Sequence, residues 1–502
     1  MKKKDMKHYF LLFGEALTCC VLQACCVKAP TQYTIPADSY AIVASSAIMH
    51  DVEWRAATVE TLQQKYPTAQ LYVWSKDLKE IQQDLTKQQP SFTFFVVRPE
   101  EAGAELTIDI STLCRALDDD PYTDTFWGVI TGYNAISAQA IANADSITIE
   151  RALDCAGCDL EVFREAWRYS EDHRGIMKIW KRGVTTSIQD IPCDTDNTAG
   201  MLERLQDDRI QFLTTSGHAT QHDWQMGYCG PNMTMVHKNG QLFAKDTKKR
   251  LHRAASPEPK VYFATGNCLI GDIDQVDCMA LSWMRDGGVK QFMGYTVTTW
   301  YGAQGWGTQG LFVDTAGLCT AAEAFHFTNI GIVNWLEKQP IQDLRAFRLE
   351  KLQRVNLPTT PGMNHYAEQL QKEGRAPQQI QKLIRDITGH LHDRDTVCFY
   401  GDPALQTRIA DGRFVIHSSV LDGDTLILSM TPQATAKDGV VWFRLPGSWT
   451  YDIASISTSP ELGKPDLMLD NVLRFPQAKV SSATGKTLWV KLPMAVRKGE
   501  NH

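Results

Sequence analysis

The sequence predicts an α/β protein: a mostly parallel β-sheet with helices on both faces, in two subdomains, followed by a small β-sandwich similar in size to an immunoglobulin-like module. Three observations predict it. Near the N-terminus, apolar extended runs alternate with segments of helical periodicity in the order β-α-β-α-β, which right-handed crossovers turn into a parallel sheet. In the middle of the chain two extended runs, Ile210–Thr215 and Val261–Thr265, each end in a glycine followed by a reactive side chain. From Arg413 onward the pattern becomes short alternating segments divided by turn residues, with no cysteine among them.

The elements follow in chain order. Tyr40–Met49 reads as a strand and Asp51–Lys65 as a helix. Ala69–Trp74 reads as a second strand, with Ser75 as the N-cap of a helix to Gln89. Phe92–Arg98 is apolar enough to be a strand buried on both faces. Asp118–Gly132 combines turn chemistry with a further short strand. Asn134–Asp145 and Leu160–Tyr169 carry helical spacing, Ile176–Val184 fits either state, and a helix from Gly200 to Asp208 leads into the first central run. Beyond the second run, Asp274–Asp286 has a helical stripe, Val289–Thr298 reads as a strand and Trp300–Gly310 as a glycine-aromatic loop. Helices are expected through Trp335, from Ile341 to Leu352, and as a polar pair over 363–392. The sandwich strands are Phe414–Leu421, Thr425–Met430, Val440–Leu445, Val472–Phe475 and Thr487–Leu492, with Asp422-Gly423 marking a hairpin.

With 502 residues the chain exceeds one ordinary domain. Hydrophobic residues at 43% supply ample core, and a net charge of -7 without any basic stripe argues against a nucleic-acid partner. Lys2, Lys3, Lys4 and Lys7 precede an apolar stretch from Tyr9 to Ala24, the layout of a secretory signal and too short to span a bilayer comfortably. Leu22-Gln23-Ala24-Cys25 resembles a bacterial lipobox, so residues 1–25 are expected to direct export, with Cys25 acylated and a lipid anchor as the sole membrane contact. Of thirteen cysteines, Cys19, Cys20, Cys25 and Cys26 lie in or beside this segment. The others are odd in number, so at least one is unpaired unless Cys26 joins them.

The chemistry centres on the two central runs. The first ends in Ser216-Gly217-His218 and the second in Gly266-Asn267-Cys268. Ligands of open α/β sheets bind at the carboxyl ends of strands. A His and a Cys delivered to that edge suit a thiol nucleophile and its general base. The backbone N–H groups of Ala219 and Cys268 would face the same space and serve as an oxyanion hole. An acid orienting His218 is expected, with Asp190, Asp194 and Asp196 as candidates. His218-x-x-x-His222 followed by Asp223 has metal-ligand spacing, but a zincin needs Glu directly after the first His and Ala219 stands there. Cys155-Ala156-Gly157-Cys158 lacks a thioredoxin-like context and reads as a local disulfide or two idle thiols. No cofactor and no metal are called for.

These blocks resemble the cysteine peptidases of the caspase, clostripain and gingipain group. Cys268-Leu269-Ile270-Gly271 is similar to the segment following the nucleophile in clostripain-like and gingipain-like members. Tyr400-Gly401-Asp402-Pro403-Ala404-Leu405 resembles the Gly-Asp-Pro motif near the end of the gingipain catalytic domain, and Asp120–Trp127 resembles a stretch of the N-terminal subdomain. Gly294–Trp300 resembles the strand and loop that line the primary specificity pocket. The resemblance implies a caspase-like fold and substrate contacts from Thr298, Trp300 and Tyr301, with Trp306 nearby. Two positions depart from the pattern: Ala219 stands where the family has Gly after the His, and Asn267 where a small residue precedes the Cys. Ile141–Ala144 replaces a frequent Gly-Arg pair. The expected organisation is a signal segment (1–25), an N-terminal α/β subdomain (40–190), a catalytic α/β subdomain (191–408) and a β-sandwich (412–495). The function expected is that of an exported cysteine endopeptidase acting on peptides or proteins through Cys268 and His218. The alternative is a catalytically degenerate gingipain-like surface lipoprotein with a binding or structural role.

Overall fold

A computed structural model describes residues 37–184, 190–206, 209–339, 341, 344–345, 348–349, 363–446 and 449–497. The signal segment and Cys25 lie outside the described residues. Across the main sheet the strands run in the order Gln70–Trp74, Tyr40–Ser45, Phe92–Val96, Phe126–Ile130, Val397–Tyr400, Val289–Tyr295, Lys260–Ala264, Phe212–Thr215, Arg151–Cys155, Glu165–Tyr169, Ile176–Lys181 and Asp190–Pro192. Neighbours are parallel except at three places: the central seam between Val289–Tyr295 and Val397–Tyr400, and the two outermost pairings beyond Glu165–Tyr169. The seam is a finding beyond the sequence reading. It joins two parallel halves that point in opposite directions, so their carboxyl ends emerge on opposite edges.

Alternation along the strands clothes both faces. On one face Phe212 and Phe263 meet Phe312 of the helix Ala303–Asp314, with ring centroids 5.5 Å apart in each pair. On the other, Tyr262 lies 5.1 Å from Trp283 of the helix Met279–Asp286 and 4.9 Å from Phe292, which stacks in turn on Tyr400. Each fully buried aromatic ring of this kind contributes roughly 1.5–3 kcal/mol. Glycines permit the closest approaches. A Cβ on Gly305 would lie 1.9 Å from the Thr265 carbonyl oxygen, so the first turn of Ala303–Asp314 sits directly on the end of the Lys260–Ala264 strand.

The Gly401-Asp402-Pro403 turn anchors the seam. Gly401 adopts φ 112°, and Asp402, fully buried, accepts from Lys65 Nζ at 2.8 Å and Tyr66 Oη at 2.7 Å. Gln291 Nε2 holds the Asp402 carbonyl at 2.8 Å. After Phe414 come the antiparallel strands of the sandwich. Phe414–Asp422, Thr425–Pro432, Leu488–Arg497 and Trp449–Tyr451 form one sheet, which Ser457–Thr458 joins; Gly439–Arg444, Val472–Ala478 and Leu467–Met468 form the other. The hairpin pairs Asp422 with Thr425, and Gly423 takes the left-handed φ of 60°. The sandwich meets the α/β body through Trp442, stacked on Phe327 at 5.2 Å, and through Arg444, which pairs with Asp38.

Several expectations need correction. Leu160–Tyr169 is not a helix: a short 3₁₀ turn, Leu160–Val162, leads to the strand Glu165–Tyr169, because parallel pairing to Arg151–Cys155 outweighs its helical spacing. The glycine-aromatic loop is in large part the helix Ala303–Asp314. Ser75 is not the N-cap; Asp77 caps Leu78–Ile81, which precedes Gln82–Gln88. The stripe from Asp274 is helical only over Met279–Asp286. The helix expected at Ile341–Leu352 falls mostly outside the described residues, and where described that stretch is not helical. The sequence reading also passed over a small antiparallel sheet of Asp223–Gln225, Thr234–Lys238, Gln241–Lys245 and Leu251–Arg253, inserted between the two central runs.

Candidate active site

Phe212–Thr215 is buried throughout and ends at Ser216, whose N–H donates to Cys155 O at 3.1 Å and whose carbonyl accepts from Trp224 Nε1 at 2.8 Å. Gly217 then adopts φ 111°, and a Cβ there would lie 2.6 Å from Gln225 O, so only glycine makes this turn without strain. The turn throws His218 out to solvent. A tight hairpin fixes its backbone: Gln225 N–H donates to His218 O at 2.8 Å and Thr220 N–H to Asp223 O at 2.9 Å. Between these bonds Ala219 is paired with Trp224 in the wide position of the bridge, and its N–H meets no acceptor among the described residues. Ala219 is absent from the positive-φ positions. Alanine therefore fits where glycine was expected, since the left-handed conformation falls on Gly217 instead. The His218 ring lies 5.5 Å from the Tyr228 ring in an edge-on contact.

The cysteine arm is built in register with it. Thr265 N–H and Oγ1 both donate to Thr215 O at 2.9 Å. Gly266 is crowded by Trp306, whose ring a Cβ would reach at 2.2 Å. Asn267 is fully buried and bridges the arms: Thr215 Oγ1 donates to its Oδ1 at 2.5 Å, and its Nδ2 donates to Gly217 O at 3.0 Å. Read from sequence as a departure from a small residue, Asn267 is the strut that ties the histidine turn to the cysteine turn. Cys268 follows, half-buried, with Sγ 3.6 Å from Thr299 O, and its N–H also meets no acceptor among the described residues. Leu269 carries φ 60°, an uncommon conformation for a leucine, held by its N–H on Val297 O at 3.0 Å.

Thr298, Trp300 and Tyr301 neighbour Thr299, whose carbonyl faces Cys268 Sγ and whose hydroxyl donates to Asn267 O at 3.2 Å. Thr298 is exposed, while Trp300 and Tyr301 are half-buried. Tyr301 donates to Asp386 at 3.2 Å, and Trp300 meets the His392 ring at 5.7 Å. Trp306 is exposed near the start of the helix Ala303–Asp314.

Among the described residues none of the acids expected to orient His218 hydrogen-bonds its ring. Asp190 pairs with Lys178, the Asp194 carbonyl accepts from Asn197, and Asp196 binds Thr198 and Thr247. A different acid, Glu171, stands beside this turn: it follows the Glu165–Tyr169 strand and accepts the Ser216 hydroxyl, and its own carbonyl receives Tyr228 N–H at 2.8 Å. Burial holds its carboxyl above the usual carboxylate range. Nothing local marks Glu171 in the sequence, because the strand before it carries helical spacing. His218, His222 and Asp223 do not converge. His222 turns to Asp274 and His237, and Asp223 accepts from Thr220. Cys155 and Cys158 are separate buried thiols, pushed well up by burial and by Asp154, and so poorly nucleophilic.

No protein-family model matches the sequence, and no curated protein does. Two solved structures resemble the chain. The Arg-specific cysteine proteinase gingipain R is 11% identical over 90% of this chain and 94% of its own, with a TM-score of 0.41. The complex of Porphyromonas gingivalis RgpB pro- and mature domains is 11% identical over 88% and 94%, with a TM-score of 0.37.

Proposed function

We propose that the chain is an exported cysteine endopeptidase that hydrolyses peptide bonds through a Cys268–His218 dyad. One observation carries this reading. At one sheet edge a solvent-exposed imidazole and a partly accessible thiol stand on turns joined by Asn267, with two backbone N–H groups that meet no acceptor among the described residues. In the proposed reaction Cys268 Sγ gives its proton to His218 and attacks the scissile carbonyl carbon. The oxygen becomes an oxyanion that accepts from the N–H groups of Ala219 and Cys268. His218 returns the proton to the leaving amine as the C–N bond breaks, leaving a thioester. A water deprotonated by His218 then hydrolyses the thioester and frees the thiol. Glu171 positions His218 indirectly, by holding Ser216. Thr298, Trp300 and Tyr301 contact the substrate. On this reading residues 40–190 form a supporting subdomain, 191–408 the catalytic one and 412–495 the sandwich. Residues 1–25 direct export and Cys25 anchors the chain to the cell envelope by lipid.

Replacing Cys268 by Ala is expected to lower turnover in a peptide library by at least about 10³-fold and to remove labelling by thiol-directed covalent inhibitors. Turnover or labelling that survives in this variant overturns the assignment. One observation favours the second reading, a degenerate surface lipoprotein: among the described residues no carboxylate hydrogen-bonds the His218 ring. An unmodified protein without turnover of any library member would select it.

A further inference from the structure

Four side chains beside the dyad form a single hydrogen-bonded file. His222 Nε2 lies 3.1 Å from Asp274 Oδ2, His222 Nδ1 lies 3.0 Å from His237 Nε2, and His237 Nδ1 lies 3.1 Å from Asp277 Oδ1. The file joins three pieces of chain. His222 closes the turn just beyond His218, Asp274 and Asp277 belong to the segment that leads away from Cys268, and His237 sits in the Thr234–Lys238 strand of the inserted sheet. The His237 side chain is 8% exposed and is the shielded member of the file, while Asp277, His222 and Asp274 are 38%, 42% and 36% exposed.

Counting protons shows what the file requires. A neutral imidazole has one N–H and one lone pair. Each carboxylate accepts an N–H, which uses the proton on His222 Nε2 and the one on His237 Nδ1. The two inward nitrogens would then face each other as bare lone pairs at 3.0 Å, which is repulsive. One additional proton converts this contact into an N–H···N bond, and the two rings then share a single positive charge between two carboxylates. A second additional proton would set two N–H groups against each other. We infer that the Asp274–His222–His237–Asp277 file is a one-proton clasp that locks the turn carrying His218 to the segment following Cys268, and that it opens when the shared proton is lost or a second is gained.

The surroundings fit that role. Asp277 also accepts from the N–H groups of Asn239 at 3.0 Å and Gly240 at 2.8 Å, and these bonds with His237 hold its carboxyl below the usual range. Three other charged groups nearby have partners of their own. Asp272 accepts from Gln221 Nε2 at 3.0 Å, Asp223 accepts from Thr220 at 2.9 Å, and Arg285 donates to Asn239 O at 3.1 Å. In the inserted sheet, His252 pairs with Asp246 rather than with the file. Lys238 is the neighbouring cation on the His237 strand.

The clasp depends on the peptidase reading only for its kinetic consequence, so the deciding measurement is stability. In full-length Cys268→Ala protein, whose dyad cannot titrate as a thiol, the thermal midpoint between about pH 4.5 and 9.5 is expected to trace a dome. Adding His237→Gln, an amide that does not titrate, should flatten the dome by roughly 2–4 °C at its centre. Parallel curves for the two proteins overturn the proposal. If His237→Gln does not fold, His222→Gln serves instead, and ¹⁵N-histidine NMR of the unmodified protein should show one N–H proton coupled to both rings. Absence of that proton, or a stoichiometric transition metal in the purified protein, overturns it. With Cys268 intact, His237→Gln is expected to lower kcat/KM by up to about 100-fold through displacement of the dyad, acting on kcat more than KM. A dome that His237→Gln flattens, in a protein without turnover, leaves the clasp standing and sinks the peptidase. Turnover together with parallel curves does the reverse.

Discussion

The two halves of the main sheet are built from the same parallel units, yet their carboxyl edges are chemically unlike. At the edge formed by Tyr40–Ser45 and Phe92–Val96, polar groups turn on one another. Glu101 accepts from Ser45 Oγ at 2.7 Å and Arg98 N–H at 2.8 Å, while Arg98 pairs with Asp51 at 2.8 Å and covers the Trp54 ring. At the edge formed by Phe212–Thr215 and Lys260–Ala264, the groups below the rim are bonded just as fully through Asn267, but those on the rim are not. The His218 ring has no hydrogen bond, and the N–H groups of Ala219 and Cys268 have no acceptor, among the described residues. One edge is closed by its own side chains and the other presents N–H donors, an imidazole and a partly accessible thiol. Backbone strain at the outward-facing edge falls on Leu269, a non-glycine residue with a φ of 60°.

The sharpest way to break this contrast is to remove the strut. Asn267→Ala leaves Gly217 O buried without its partner and takes one of two partners from the Thr215 hydroxyl, which keeps Tyr262 Oη at 2.8 Å; it should cost roughly 1–3 kcal/mol of unfolding free energy. Because both turns lose their common support, turnover should fall by about 100-fold. Denaturant unfolding and peptide hydrolysis on the same preparation check the pair of effects. A variant that loses stability but keeps its rate would show that Asn267 holds the fold and not the dyad. The matching change at the closed edge is Glu101→Ala, which removes the acceptor shared by Ser45 and Arg98 and should cost about 1–3 kcal/mol. Its kcat/KM is expected to stay within about twofold of the parent, since additivity holds for distant sites. A large rate loss there would mean that the two edges are coupled through the seam.

How much of this was legible depended on where the deciding contact lay. Val261–Thr265 and Phe92–Arg98 could be read as strands because both faces are buried and the runs are continuously apolar. The punctuation by Gly217 and Gly266 marks the His218 and Cys268 turns, Gly217 through its own φ of 111° and Gly266 by making room for Trp306 of another element. Glu165–Tyr169 failed that test: Leu160, Phe163 and Trp167 sit at helical spacing, and only pairing with Arg151–Cys155 decides the conformation. Ala303–Asp314 failed for the opposite reason. Gly305 looks like a helix breaker, but it is required where the helix meets Thr265, a residue remote in sequence. The seam, the role of Asn267 and the partnership of His222 with His237 have no local signature, since each is defined by a partner from another element.

The smallest expected effect isolates Glu171, the acid that the reading of its strand as helix concealed. Burial raises the folded-state pKa of its carboxyl, so the fold favours the protonated form. Stability from this source is fully present below the unfolded-state pKa of the group and is lost as pH rises through the folded-state value. Glu171→Gln keeps an oxygen to accept the Ser216 hydroxyl but removes the ionisation. The variant should therefore match the parent in unfolding free energy near pH 4 and become the more stable of the two as pH rises toward 8, a modest difference measurable by urea titration at the two pH values. If instead the variant is less stable at pH 8, the ionised carboxylate stabilises the turn, and the Ser216 contact is a charge-assisted bond that anchors the outward-facing edge.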